Sequence, residues 1–251
     1  MQKLKRLYRS NYAGENIVTQ LHLSFGEWNP TTEFVPNNVT NTYTTNQAIA
    51  IGNGESRLGV DLKFIKRHQG GLLAENKLQS YACNAAYRDF EADFLVATGD
   101  DIVKEIADSG YCADNIVYAN ADAVLKYPGK FYLTPQNVLN DAGSIAAYMA
   151  CFDGHKKVYL LGYDNYDMHS PYNNVYKNTN GYLTSSHTDN GEFFARSLHD
   201  VISTYNDVEF VRIMPTASYW MHDMWKPLVN LRQISYRDFV LEADIGTLSV
   251  A

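Results

Sequence analysis

The chain is short of cysteine, of basic charge and of long apolar runs. Its three cysteines, Cys83, Cys112 and Cys151, form no Cys-x-x-Cys pair and leave an odd number. That argues against a disulfide framework or a zinc site, and for reduced, mostly buried thiols. Lysine and arginine number 21 against 28 aspartates and glutamates, a formal charge of -7. Broad nucleic-acid binding is excluded on that balance, because neutralising phosphates takes a dense basic surface. No apolar run is long enough to span a bilayer, and none follows the basic start as a signal peptide would require. The expectation is a cytoplasmic chain. Lys3, Lys5, Arg6 and Arg9 cluster at the start, either as a frayed terminus or as a point of peripheral contact with an anionic membrane. A strict Asp-x-Asp triplet, the usual carboxylate pair for a metal–nucleotide complex, is also missing. The nearest approach, Asp89-Phe90-Glu91, reads as a solvated turn.

What is present is a core-forming pattern. With 251 residues, 45% of them hydrophobic, the chain is long enough for one large domain or two small ones. Residues 1–45 are rich in Asn, Thr and Tyr and read as an N-terminal extension with one strand near 17–23. From residue 46, strand and helix signals alternate. Strands are expected at 47–51, within 77–84, and at 93–97, 115–119, 157–162 and 208–213. Helices are expected at 58–67, at 101–108, at 192–205, and around Ile145, Tyr148, Met149 and Phe152, whose spacing gives one apolar face. The helix at 192–205 places Phe194, Leu198, Val201 and Tyr205 on one side, which should face the core. Such alternation implies an α/β, Rossmann-like, mostly parallel sheet with helices on both faces. Residues 46–215 form its domain, and 216–251, with Trp220, Trp225 and Phe239, pack on it. Aromatic residues in this tail make homo-oligomers an expectation.

Ala48-Ile49-Ala50-Ile51-Gly52-Asn53-Gly54-Glu55-Ser56 is the most informative stretch. A buried strand opens into a tight loop: Gly52 permits a sharp turn and Gly54 lets a ligand approach bare backbone. A nucleotide-type site at a strand's carboxyl end follows, although the third glycine of the dinucleotide fingerprint and the Lys-Ser/Thr of a P-loop are absent. A plain strand-to-helix turn is the competing reading. Asn84 ends the second strand. Asp141-Ala142-Gly143-Ser144 opens a helix, with Asp141 as its cap. Residues 163–191 break the rhythm with Asn, Ser, Thr and five tyrosines, Tyr163, Tyr166, Tyr172, Tyr176 and Tyr182. Disordered tracts are poor in aromatics, so this segment reads as an ordered lid over the strand ends.

In order and spacing these motifs resemble the bacterial lipooligosaccharide sialyltransferases of glycosyltransferase family 42 and their wider relatives. The resemblance covers roughly residues 46–215. Ile51 to Ser56 resembles the family's GNGPS loop, with Glu55 where proline is usual. Cys83-Asn84-Ala85-Ala86-Tyr87 resembles its C-N-x-x-Y, and the unit from Gly143 to Gly162-Tyr163-Asp164-Asn165-Tyr166 follows without a gap. The resemblance implies a GT-A-like variant of the fold and a metal-independent transfer from a CMP-sugar donor to a glycan acceptor. It implies His187 as catalytic base, and Tyr166 and Tyr172 as donors to the leaving phosphate. It also places Gly52, Asn53, Gly54, Ser56, Asn84, Gly143, Ser144 and Asp164 at the substrate. Two departures stand out: Asp141 takes the place of a hydroxyl residue, and the stretch before it, Val138-Leu139-Asn140, lacks the family's basic residue. Two other functions stay open: a pterin diphosphokinase-like transfer of pyrophosphate, with Asp100 and Asp101 as Mg²⁺ ligands, and a non-catalytic carbohydrate- or nucleotide-binding protein.

Overall fold

The computed structural model describes residues 3–8, 15–24, 27–36, 47–69, 78–135, 138, 140–164, 173–182 and 191–242. Side chains are described from residue 47 onward, Arg67 and His68 excepted. In the N-terminal extension the single expected strand is three: β1 (Lys3–Tyr8), β2 (Glu15–Ser24) and β3 (Glu27–Pro36) form an antiparallel sheet of their own. From residue 47 the fold is α/β and Rossmann-like. The strands β4 (Gln47–Ile51), β5 (Gln79–Cys83), β6 (Phe94–Ala97), β7 (Val117–Ala119), β8 (Tyr132–Leu133), β9 (Lys157–Leu161), β10 (Glu209–Met214) and β11 (Leu231–Ser235) make one sheet. Its order is β11-β10-β9-β4-β5-β6-β7-β8, and every pair is parallel.

The helices are α1 (Leu62–His68), α2 (Asp100–Ser109), α3 (Ala121–Lys126), α4 (Ala142–Phe152), α5 (Gly191–Thr204) and α6 (Tyr236–Glu242). Alternate strand residues feed two cores. Ile49, Ile51, Leu95, Tyr159 and Val211 pack with Ile65, Ile102, Ile106 and Phe239 on one face. Ala48, Ala50, Phe94, Leu160 and Phe210 pack with Ile145, Met149, Leu198 and Ile202 on the other. Each large apolar side chain so buried contributes about 1.5–3 kcal/mol. Among the described residues, no helix is long and apolar enough to cross a membrane.

Four expectations are corrected. The helix expected at 58–67 starts later: Glu55–Gly59 forms a 3-10 turn, and Asp61 caps α1 by accepting from the Lys63 N–H. Helix α4 has no single apolar face, because Ala142 and every residue from Ser144 to Cys151 are buried. Its alanines share one core cluster with Ala48 and Ala50, and small residues on both elements let helix and sheet approach closely. In α5 the first turn buries Ala195 and leaves Phe194 exposed. The sheet also continues past residue 215, where β11 pairs with β10.

Candidate functional site

Strands β5 to β8 run off one side of β4, and β9 to β11 off the other. The topological switch point, where open α/β sheets bind ligands, therefore lies between the carboxyl ends of β4 and β9. Gly52-Asn53-Gly54 leaves one strand there and Gly162-Tyr163-Asp164 the other. The two loops are joined by backbone: the Gly52 N–H donates to Leu161 O (2.8 Å) and the Gly54 N–H to Gly162 O (2.9 Å). A β-carbon on Gly52 would stand 2.5 Å from Gly162 O, and one on Gly54 would stand 2.6 Å from both Gly162 O and the Asp164 carboxyl carbon. Gly54 is thus bare where the β9 loop approaches it.

Asp164 holds this junction together. Its carboxylate accepts from the Ser56 N–H (2.7 Å) and from the Ser56 hydroxyl. Burial raises its pKa, opposed by those bonds and by the charge of Arg212. Arg212, from β10, is fully buried. Its guanidinium donates to Tyr163 O (2.8 Å), Asp164 O (2.7 Å) and Trp220 O (2.8 Å). Burial brings its pKa down to about 10, so it remains charged at neutral pH.

Residues 173–182, within the segment expected as a lid, strap over the β4 and β5 ends. The Val175 N–H donates to Asn53 O (2.9 Å), and the Glu55 N–H to Asn173 Oδ1 (2.6 Å). Arg57, buried under the strap, donates to the Tyr176 hydroxyl and to Asp89 (2.6 Å each). Tyr182 is the inward anchor: its hydroxyl accepts from Asn53 Nδ2 (3.0 Å) and bonds the Asn84 side chain, and burial raises its pKa. Asn84 itself adopts φ 48° and accepts from the Thr98 N–H (2.7 Å), the left-handed turn geometry that asparagine tolerates. Asn53 is 9% exposed, and its Oδ1 has no partner among the described residues.

Outside this centre the strap is pinned by Arg88, which donates to both Glu105 oxygens (2.7 and 2.6 Å), to Thr179 and to Asn180 O. Hydrogen bonds from Arg88, then Tyr87 and Asn180, lower the Glu105 pKa to about 2 despite partial burial. A lowered carboxyl pKa contributes stability above the unfolded value, and that stability is lost as pH falls through the folded one. Glu105→Gln should therefore flatten the acid limb of a stability–pH curve between about pH 4.5 and 2. It should also speed amide exchange in residues 173–182. An unchanged acid limb would remove Glu105 as the pin.

At the start of α4, Asp141 accepts from the Ser144 N–H through Oδ1 (3.0 Å), while the Tyr163 hydroxyl donates to Gly143 O (2.6 Å). Asp141 Oδ2 is buried without a partner among the described residues. Burial raises the Asp141 pKa. Burial, then the Asp141 charge, pushes the Cys83 thiol up to about 12. Gly52, Asn53, Gly54, Ser56, Asn84, Gly143, Ser144 and Asp164 are thus all drawn to one edge of the sheet. Tyr166, Tyr172 and His187 lie outside the described residues. The sequence reading missed Arg212 and Tyr182. A lone arginine inside the apolar run Phe210-Val211-Arg212-Ile213 was a usable signal, because unpaired charge is not buried; nothing in the sequence separates Tyr182 from its four neighbours in the lid. Among the described residues, no group of His, Cys, Asp or Glu could hold a metal ion. Comparison of the chain with protein-family models, curated proteins and solved structures gives no match.

Proposed function

We propose that the chain is an inverting glycosyltransferase of the cytoplasm that moves a sugar from a CMP-sugar donor to a glycan acceptor without a metal. One observation carries the reading. Asn53 and Asn84, the two side chains that the resemblance assigns to the donor, share Tyr182 at the switch point, where α/β sheets take nucleotides. The chemistry follows from the residue types. Inversion requires the acceptor hydroxyl to lose a proton as it attacks, and His187 would take it at neutral pH. Charge building on the leaving phosphate would be met by the phenols of Tyr166 and Tyr172.

In the presence of a chelator, CMP at a hundredfold excess over its Kd should stabilise the protein by about 2.7 kcal/mol. His187→Ala should cut transfer by about 10²–10⁴ while CMP binding stays within about threefold. Full activity in that variant defeats the assignment. Binding of ATP only with Mg²⁺ would favour pyrophosphoryl transfer instead. The acidic pair that this alternative needs, Asp100 and Asp101, is exposed in the first turn of α2, where carboxylates are favoured by the helix dipole alone.

A further inference from the structure

The exposed aromatic side chains among the described residues are Phe193, Phe194, Tyr219 and Trp220. Single exposed apolar residues are ordinary, but clustered ones mark a surface that meets something. These four sit on two segments in contact. Phe193 and Phe194 open α5, and Tyr219 and Trp220 belong to the loop after β10. From that loop the Trp225 Nε1–H donates to Ala195 O (2.8 Å), and His222 stands 3.6 Å from Glu192. Helix α5 leads into β10, so both segments lie at the carboxyl edge of the parallel sheet.

Hydrogen bonds tie Tyr219 and Trp220 to the crevice. The guanidinium that donates to Trp220 O also donates to Tyr163 O and Asp164 O, so the Trp220 backbone is joined to the β9 loop through one side chain. Gln233 Nε2 donates to Ala217 O (3.0 Å) and Tyr219 O (2.7 Å), and His222 braces the Trp220 ring edge-on at 5.8 Å. The Tyr219 phenol lies near Tyr236: burial, then Asp164 and Tyr219, raise the Tyr236 pKa. Tyr236 in turn donates to Ser56 O on the β4 side. Exposed rings on a clamped backbone are pre-organised for a ligand.

Charge on the same segments selects among occupants. Glu192 pairs with Arg196 (3.7 Å) and His222, and Asp223 with Lys226 (2.6 Å). The core of a protein–protein interface is depleted of charge, and a membrane-lying face carries Lys and Arg on its polar side; exposed carboxylates suit neither. A pyranose suits both features, because its C–H face stacks on a ring while its hydroxyl rim bonds to charged and polar groups. We propose that Tyr219 and Trp220 form a stacking shelf for an uncharged sugar unit of the acceptor glycan. This rests on the glycosyltransferase reading above and adds the side from which the acceptor arrives. The strap covers the β4 and β5 side of the crevice, and the shelf stands on the β10 side.

The test is titration of lactose, cellobiose and N,N′-diacetylchitobiose, read by saturation-transfer NMR, into the full chain and its Trp220→Ala, Trp220→Phe and Tyr219→Ala variants. CMP is titrated in parallel, and melting curves verify folding. At least one disaccharide should bind the wild type with a millimolar Kd. Trp220→Ala and Tyr219→Ala should each weaken it by about tenfold. Trp220→Phe, which keeps a ring, should stay within about threefold, as should CMP in every variant. The shelf is overturned if no disaccharide binds, or if Trp220→Ala binds as the wild type does. It is equally overturned if Trp220→Ala instead abolishes self-association in sedimentation, or adsorption to phosphatidylglycerol–phosphatidylcholine vesicles. CMP binding without disaccharide binding sinks the shelf alone. Disaccharide binding that depends on Trp220, with no CMP binding, leaves the shelf as a glycan site and sinks the nucleotide-sugar reading.

Discussion

Arg212→Met should lower the unfolding free energy by about 3–5 kcal/mol. Methionine fills comparable space in β10 but donates nothing. The carbonyls of Tyr163, Asp164 and Trp220, bonded at 2.7–2.8 Å by one guanidinium, would lose their donors together. Gln233 Oε1 (2.6 Å) and the face of Trp225, 5.3 Å from the guanidinium carbon, would lose the same partner. An unsatisfied buried acceptor costs about 1–3 kcal/mol, so three carbonyls set the scale even if water reaches one. Lysine should rescue little, because a single ammonium cannot span carbonyls arranged for a planar fork. Urea unfolding followed by tryptophan fluorescence gives the number. Amide exchange at Ser56 gives the local consequence, since its N–H is held by Asp164 and Asp164 is held by Arg212. A loss below about 1 kcal/mol would mean that the β9 loop does not depend on this side chain.

Strands β4, β9 and β10 were legible in the sequence because parallel strands buried on both faces read as continuous apolar runs. Helix α2 was legible through its periodicity and the left-handed Gly110 that stops it. The Gly52-Asn53-Gly54 loop announced the switch point. Other parts carried no comparable signal. Strand β11 is half exposed, and Arg232 and Gln233 break any apolar pattern. Strand β8 has two residues, below the length at which alternation can be read. The late start of α1 depends on tertiary contact: the Tyr236 hydroxyl donates to Ser56 O, and its ring occupies the side of Gly59, which no local rule foresees. At the site, the asparagines and glycines were placed at the correct edge, but their partners were not. That Gly52 faces Gly162, or that Asn53 meets Tyr182, depends on pairings across 110 and 129 positions of sequence.

Gly162→Ala tests whether those glycines serve the junction of the two loops. Gly162 sits at φ +75°, where an added β-carbon would stand 2.7 Å from Gly52 O, 3.0 Å from Gly52 C and 3.3 Å from Arg57 Cβ. The left-handed conformation alone costs an L-residue about 1–2 kcal/mol. The contact with backbone should add more, because Gly52 cannot retreat. Its N–H is bonded to Leu161 O, and the following Gly54 N–H to Gly162 O. A total loss of about 3–4 kcal/mol is expected. Gly110→Ala supplies the control: φ is +82° and nothing lies within 4 Å of the added carbon, so only the conformational part, about 1–2 kcal/mol, should be lost. The difference between the two variants isolates the approach of the β4 and β9 loops, free of backbone strain. CMP affinity should fall with Gly162→Ala and stay unchanged with Gly110→Ala, because only the first pushes the Asn53 turn away from the strand that fixes it. Equal losses of stability in the two proteins would show that Gly162 is retained for its dihedral angle alone, and that the crevice tolerates more separation between its walls than the hydrogen bonds across it suggest.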